Sequence, residues 1–128
     1  MMIKPEAVAA GSWAAILDVV LRNRFQVRRM EMRHLSKETA QRFYAEHAGK
    51  PFFDDLIGYI TSGTVIALWL VGEDAVQRLR QLVGATNPAD ATPGTVRYMF
   101  GTSLQENAVH ASDSPESAER ELGIVFAH

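Results

Sequence analysis

Apolar residues along this chain change their spacing from stretch to stretch, and each change predicts an element. After Ser12, the residues Trp13, Ile16, Leu17, Val20 and Leu21 recur at steps of three and four, the stripe of a helix lying on a core. Residues 25–32 alternate, which places Phe25, Val27, Arg29 and Glu31 on one side of a strand. Residues 65–71 form a continuous apolar run, the mark of a buried strand. Short strands are expected at 1–3, ended by Pro5, and at 108–110. Ser36 caps a helix running through Phe43 and Tyr44 and stopped by Gly49. Further helices are expected over 53–60, closed by Ser62-Gly63, over 73–83, ended by Gly84, and from Pro115 to about Phe126.

Regularity fails between Ala85 and Gln105, where Pro88, Pro93, Gly94 and Gly101 punctuate a long loop. Long ordered loops in compact domains are usually functional. The element order contains a βαββαβ plan with additions. It predicts an α+β, ferredoxin-like sandwich: a four-stranded antiparallel sheet with helices on one face, added helices, and a long loop before the last strand.

With 128 residues, the chain is expected to form a single domain spanning 1–128. A net charge of -2 speaks against a surface that coats nucleic acid, and nucleic acid is not an expected partner. The absence of cysteine excludes disulfides, thiolate catalysis and Cys-based zinc sites. No apolar run is long enough to span a bilayer and no secretory pattern opens the chain, so no membrane partner is expected and the cytoplasm is the expected compartment.

The chemistry concentrates near the C-terminus. His110 ends a short apolar run just before a strong helix start, with Ser114 as cap, Pro115 at the first helical position and Glu116 in the first turn. Two turns later Glu121 can swing its carboxylate back to the strand–helix junction. A histidine with a carboxylate and hydroxyls in reach suits a nucleophile or proton carrier, although a lone strand-end histidine is more often a hydrogen-bonded structural residue. His34, His47 and His128 show no metal-ligand spacing with one another. Neither a P-loop nor the protein-kinase motifs occur.

Five blocks in order resolve the ambiguity at His110. They are Met2-Ile3-Lys4-Pro5-Glu6-Ala7-Val8; Phe43-Tyr44-Ala45-Glu46-His47 with Lys50-Pro51-Phe52-Phe53-Asp54-Asp55-Leu56; Thr61-Ser62-Gly63-Thr64-Val65; Gly84-Ala85-Thr86-Asn87-Pro88-Ala89-Asp90 leading to Pro93-Gly94-Thr95-Val96-Arg97; and the block from Asn107 through Glu121. Through them the chain resembles the nucleoside diphosphate kinases over nearly its whole length.

The resemblance implies transfer of the γ-phosphate of a nucleoside triphosphate to a nucleoside diphosphate, by a ping-pong route through a phosphohistidine at His110. Glu121 and Ser112 match the residues that orient the imidazole, and Lys4 and Tyr44 complete the implied catalytic group. Arg80, Thr86 and Arg97 match phosphate-binding positions, where a guanidinium fork pairs with phosphate oxygens. Lys4 and Asn107 match the ribose-binding residues. Phe52 matches the aromatic that stacks on the base, and Leu56 closes the cleft. On the residues alone, Glu121 and Arg80 read as ordinary helical surface charges, and either Phe52 or Phe53 can be the core member of its pair. Mg²⁺ is implied as cofactor, arriving on the nucleotide phosphates rather than in a protein cage.

The chain departs from the family pattern at Tyr98-Met99, where Gly-Asp usually follows the loop arginine, at Ala111, where Gly is usual, and at Glu6, usually Asp. Family members usually carry more residues before Met2 and past Phe126, so the implied homo-oligomer is left open between tetramer, hexamer and dimer. The alternative is a catalytically weakened nucleotide-binding or scaffold member of the same fold. A ferredoxin-like RNA-binding module is disfavoured by the acidic balance and the apolar strands.

Overall fold

The computed structural model describes residues 1–126. Four strands, β1 (Met2–Ile3), β2 (Gln26–Arg33), β3 (Val65–Val71) and β4 (Val109–His110), lie in the order β2-β3-β1-β4. Every neighbouring pair is antiparallel. The helices are α1 (Pro5–Ala9), α2 (Trp13–Arg22), α3 (Lys37–Phe43), α4 (Phe53–Ile60), α5 (Ala75–Val83), α6 (Val96–Phe100) and α7 (Pro115–Val125). β1, α2, β2, β3, α5 and β4 make the βαββαβ plan, and α3 with α4 is inserted between β2 and β3.

Helices cover both faces of the sheet, not one. Ile3, Ile66, Leu68 and Val109 pack with Ile16 and Val20 of α2 and Leu79 and Val83 of α5. Met2, Val65 and Ala67 pack on the other face with Phe43 of α3, Ile57 and Ile60 of α4 and Val125 of α7. The unbroken apolar run of β3 is the cause, because successive side chains point to opposite faces and both must be buried.

The expected grouping along β2 also breaks. Val27 pairs with Leu70, but Arg29 pairs with Trp69, so a bulge at Arg28 carries the strand across one pleat. Leu70 belongs to the α2/α5 face and Trp69 to the other, and Arg29 and Glu31 accordingly lie opposite the face of Val27. The long loop holds a short helix, α6, capped by the Thr95 hydroxyl accepting from the Tyr98 amide. Gly84 closes α5 at φ 91°, and a side chain there would come within 2.6 Å of Thr95 Oγ1. The loop lies back against the end of α5 at a glycine that leaves room for Thr95.

Candidate active site

Register puts His110 opposite Met2, on the face covered by α3, α4 and α7. The Ser114 hydroxyl accepts from the Ser117 amide, with Pro115 at the start of the helix, so α7 begins at a fixed point. Two turns on, buried Glu121 returns to the strand end. Its Oε1 lies 2.7 Å from His110 Nε2 and accepts the Ser112 hydroxyl at 2.8 Å. A carboxylate only accepts, so Nε2 carries the proton and Nδ1 keeps the lone pair. Phe43 and Tyr44 close the ring edge-on, with centroids 4.9 and 5.6 Å from His110.

Burial pushes the His110 pKa below its usual value, and the Glu121 bond only partly opposes this. The imidazole is therefore neutral near pH 7. Burial also acts on Glu121, but the bonds from His110 and Ser112 outweigh it and hold the carboxyl below its ordinary range. Burial raises the Tyr44 phenol far above its usual pKa, so it stays protonated, and its hydroxyl has no partner among the described residues.

Cations gather around the same strand end. Buried Arg97 of α6 donates to Gly84 O at 3.0 Å and Val109 O at 2.9 Å, spanning from the end of α5 to β4. Burial, then the nearby Arg80, lowers its pKa to about 10. Lys4 is buried as well, and its Nζ donates to Gln105 O at 3.2 Å. Burial, then Arg97, brings it down to about 8 against the pull of Glu6. Arg80 is exposed on α5 and reaches Ala111 O at 3.4 Å. The carbonyl of Thr86 accepts from Asn107 Nδ2 at 2.9 Å, while Asn107 Oδ1 is buried without a partner among the described residues. Cations that depress one another and a polar oxygen left unpaired fit an anionic, hydroxyl-bearing ligand.

Phe52 is the exposed member of its pair, 47% accessible, whereas Phe53 packs into the core. His47 bridges Phe52 to Tyr44, at 5.4 and 6.2 Å between ring centroids. Leu56 is half-buried against the same core. Thus Lys4, Tyr44, Arg97, Asn107, Ser112 and Glu121 are linked to His110 or its strand by direct contacts or backbone bonds. Arg80, Thr86 and Phe52 rim the group, and Leu56 is tied to it only through the core.

The residues also include some to which no role was given. Tyr59 lies under the Lys4 ammonium, 6.0 Å from Nζ to the ring centroid, with its hydroxyl buried and unpartnered among the described residues. Its signal was position, three residues after Leu56 on one helix face. Glu6 bonds the Ala108 amide, a contact with no local signature. Tyr98 and Met99 are 52% and 45% exposed, turned outward while Arg97 turns inward. Large residues at these positions therefore leave the arginine in place, and nothing in the loop favours a weakened relative.

Fold and side chains together define the class, an α+β sandwich in which a neutral imidazole stands beside a cluster of cations suited to a phosphorylated ligand. Comparison with known proteins narrows it. Residues 1–128 match the family model described as nucleoside diphosphate kinase. A nucleoside diphosphate kinase from Syntrophotalea carbinolica is 49% identical over 126 residues, covering 98% of this chain and 92% of that one. One from Exiguobacterium sibiricum is 47% identical over 126 residues, covering 98% and 91%. Among solved structures, the Aquifex aeolicus nucleoside diphosphate kinase superposes with a TM-score of 0.95 at 40% identity, covering 98% of this chain and 91% of that one. The Halobacterium salinarum enzyme, solved in complex with CDP, gives 0.95 at 38% identity, covering 99% and 85%. The chain belongs to the nucleoside diphosphate kinase family.

Proposed function

We propose that this enzyme moves the γ-phosphoryl group of a nucleoside triphosphate to a nucleoside diphosphate through phospho-His110. Nδ1 attacks the γ-phosphorus, an N–P bond forms and the bond to the β-phosphate oxygen breaks, and the nucleoside diphosphate leaves. An incoming diphosphate then attacks the phosphohistidine, and the imidazole returns as leaving group. The observation that carries this reading is the 2.7 Å Nε2–Glu121 contact, which commits one nitrogen and presents the other. Glu121 also stabilises the positive ring while it bears phosphate.

Arg97, Arg80, Thr86 and Lys4 receive the phosphates, Asn107 and Lys4 the ribose, and Phe52 the base, with Leu56 at the cleft wall. Tyr44 walls the imidazole as a neutral phenol. The substrate is the Mg²⁺ complex of the nucleotide. Glu121 already accepts from His110 and Ser112, and one oxygen of Glu6 accepts from the Ala108 amide. The ion would be carried on phosphate oxygens and water. We further propose a homo-oligomer working in the cytoplasm. No helix among the described residues is long and apolar enough to cross a membrane.

The test is to mix the protein with Mg²⁺ and γ-labelled ATP, quench, and follow label on the chain. Acid-labile, base-stable label that chases onto GDP and is lost in His110→Ala is expected. Label that persists in His110→Ala, or a folded, ADP-binding parent that takes none, overturns the mechanism.

A further inference from the structure

A guanidinium on α7 touches both walls of the imidazole. Arg120 Nη1 donates to Arg42 O at 3.1 Å and Phe43 O at 3.4 Å, the carbonyls at the C-terminal end of α3. Its Nη2 lies 3.6 Å from Glu121 Oε2, the carboxylate oxygen that bonds neither His110 nor Ser112. The end of α3 presents its last carbonyls and the negative pole of the helix, both suited to a cation. The same end delivers Phe43 and Tyr44 edge-on to His110.

We propose that Arg120 is a positioning residue for the phosphoryl-transfer step, fixing the carboxylate that orients His110 and the aromatic wall beside it. This rests on His110 being the phosphorylated residue. Glu121 is the catalytic partner, and Arg120 acts through it and through the backbone of α3.

The electrostatics give this a signature. The charged and titratable groups facing His110 are Glu121 of α7, the Lys4 ammonium, the Met1 amino group and the Tyr44 phenol. Glu121 faces His110, Arg120 and the Met1 amino group. Arg120 draws negative charge from Glu121. Without it the carboxylate holds an imidazolium more firmly, and His110 protonates at higher pH.

The experiment is an NMR titration of the His110 ring in parent, Arg120→Gln and Arg120→Lys, paired with single-turnover phosphorylation by Mg²⁺-ATP across pH. The Arg120 side chain is 39% exposed, so neither variant opens the core. In Arg120→Gln the His110 midpoint is expected to rise by about half a unit, a neighbouring charge being partly screened by solvent. The acid limb of phosphorylation moves up with it, and the rate at pH 7 falls about tenfold through misplacement. Arg120→Lys restores the midpoint but only part of the rate, because one ammonium cannot span two carbonyls and a carboxylate. An unmoved midpoint in Arg120→Gln overturns the proposal, even if that variant melts earlier. A parent that is never phosphorylated overturns the phosphohistidine reading instead, and the midpoint comparison still decides whether Arg120 governs the ring.

Discussion

The carboxylate of Glu6 accepts the backbone amide of Ala108 at 3.0 Å, across more than a hundred residues of chain. Ala108 sits at φ 77°, a left-handed conformation that disfavours a side chain. It is also fully buried, between Asn107 and the strand that ends in His110. The other Glu6 oxygen is buried without a partner among the described residues, and burial raises the carboxyl's pKa above the usual value. One acidic side chain thus pins the strained residue that joins Asn107 to the strand of His110.

Glu6→Ala leaves the Ala108 amide buried and unpaired, which should cost about 1–3 kcal/mol of folding stability. Glu6→Gln keeps an acceptor oxygen and should recover most of that loss. Urea unfolding of the three proteins checks it. A Glu6→Ala variant as stable as the parent would show that the bond contributes nothing.

Proton linkage at His110 has a definite sign. The folded pKa is depressed, so the unfolded chain binds the proton more tightly. Stability contributed by this group is fully present above the unfolded value near 6.5 and declines as pH falls below it. Phosphorylation, which needs the neutral ring, should keep its rate to a lower pH than a free imidazole allows. A phosphorylation profile whose acid limb lies above pH 6.5 would contradict the burial of the ring.

Lys4 carries the opposite expectation on binding. Its free pKa is about 8, and phosphate oxygens brought beside it favour the charged form. Nucleotide binding above pH 8 should therefore take up a proton, and affinity should fall as pH rises through that range. Calorimetry of ADP binding at pH 8.5 in two buffers of different ionisation enthalpy measures the uptake directly. Equal heats in both buffers would refute it.

Phe52→Ala tests the proposed stacking of the base on this ring. A half-exposed ring adds little to the core, so the melting temperature should barely change. Affinity for ADP, GDP and CDP should fall alike by about 1–3 kcal/mol, the worth of one stacked base. Loss confined to one nucleotide would point to base-specific contacts elsewhere.

Arg97→Lys separates charge from shape. Lysine keeps the cation but cannot bond Gly84 O and Val109 O together, and a lost charged hydrogen bond is worth about 1.5–3 kcal/mol. Lower thermal stability together with weaker ADP binding is expected. An unchanged melting temperature would mean that the carbonyl bonds do not hold the loop.

Elements with a long, uninterrupted signal were legible from the residues. β3 and α4 run over the expected stretches, because a seven-residue apolar run and the Ser62-Gly63 stop leave little choice. The bulge at Arg28 was hidden, since alternation in sequence says nothing about which partner residue is skipped. α6 was lost in the loop because five residues hold too little periodicity, although Thr95 offered its cap. In the site, helix geometry allowed Glu121 to reach His110, but the residues alone favoured an ordinary surface charge and only the family resemblance paired the two. Glu6, Tyr59 and Arg120 were not legible, since their partners lie far along the chain and only the folded backbone brings them near.

The two carbonyl bonds of Arg97 fasten the loop at its root and leave the crest unburdened. Tyr98 and Met99 look outward from a helix whose inward residue is already anchored. That crest is a natural attachment point for a fluorophore or a crosslinker, where a reporter would sit next to Arg97 without displacing the guanidinium beneath it.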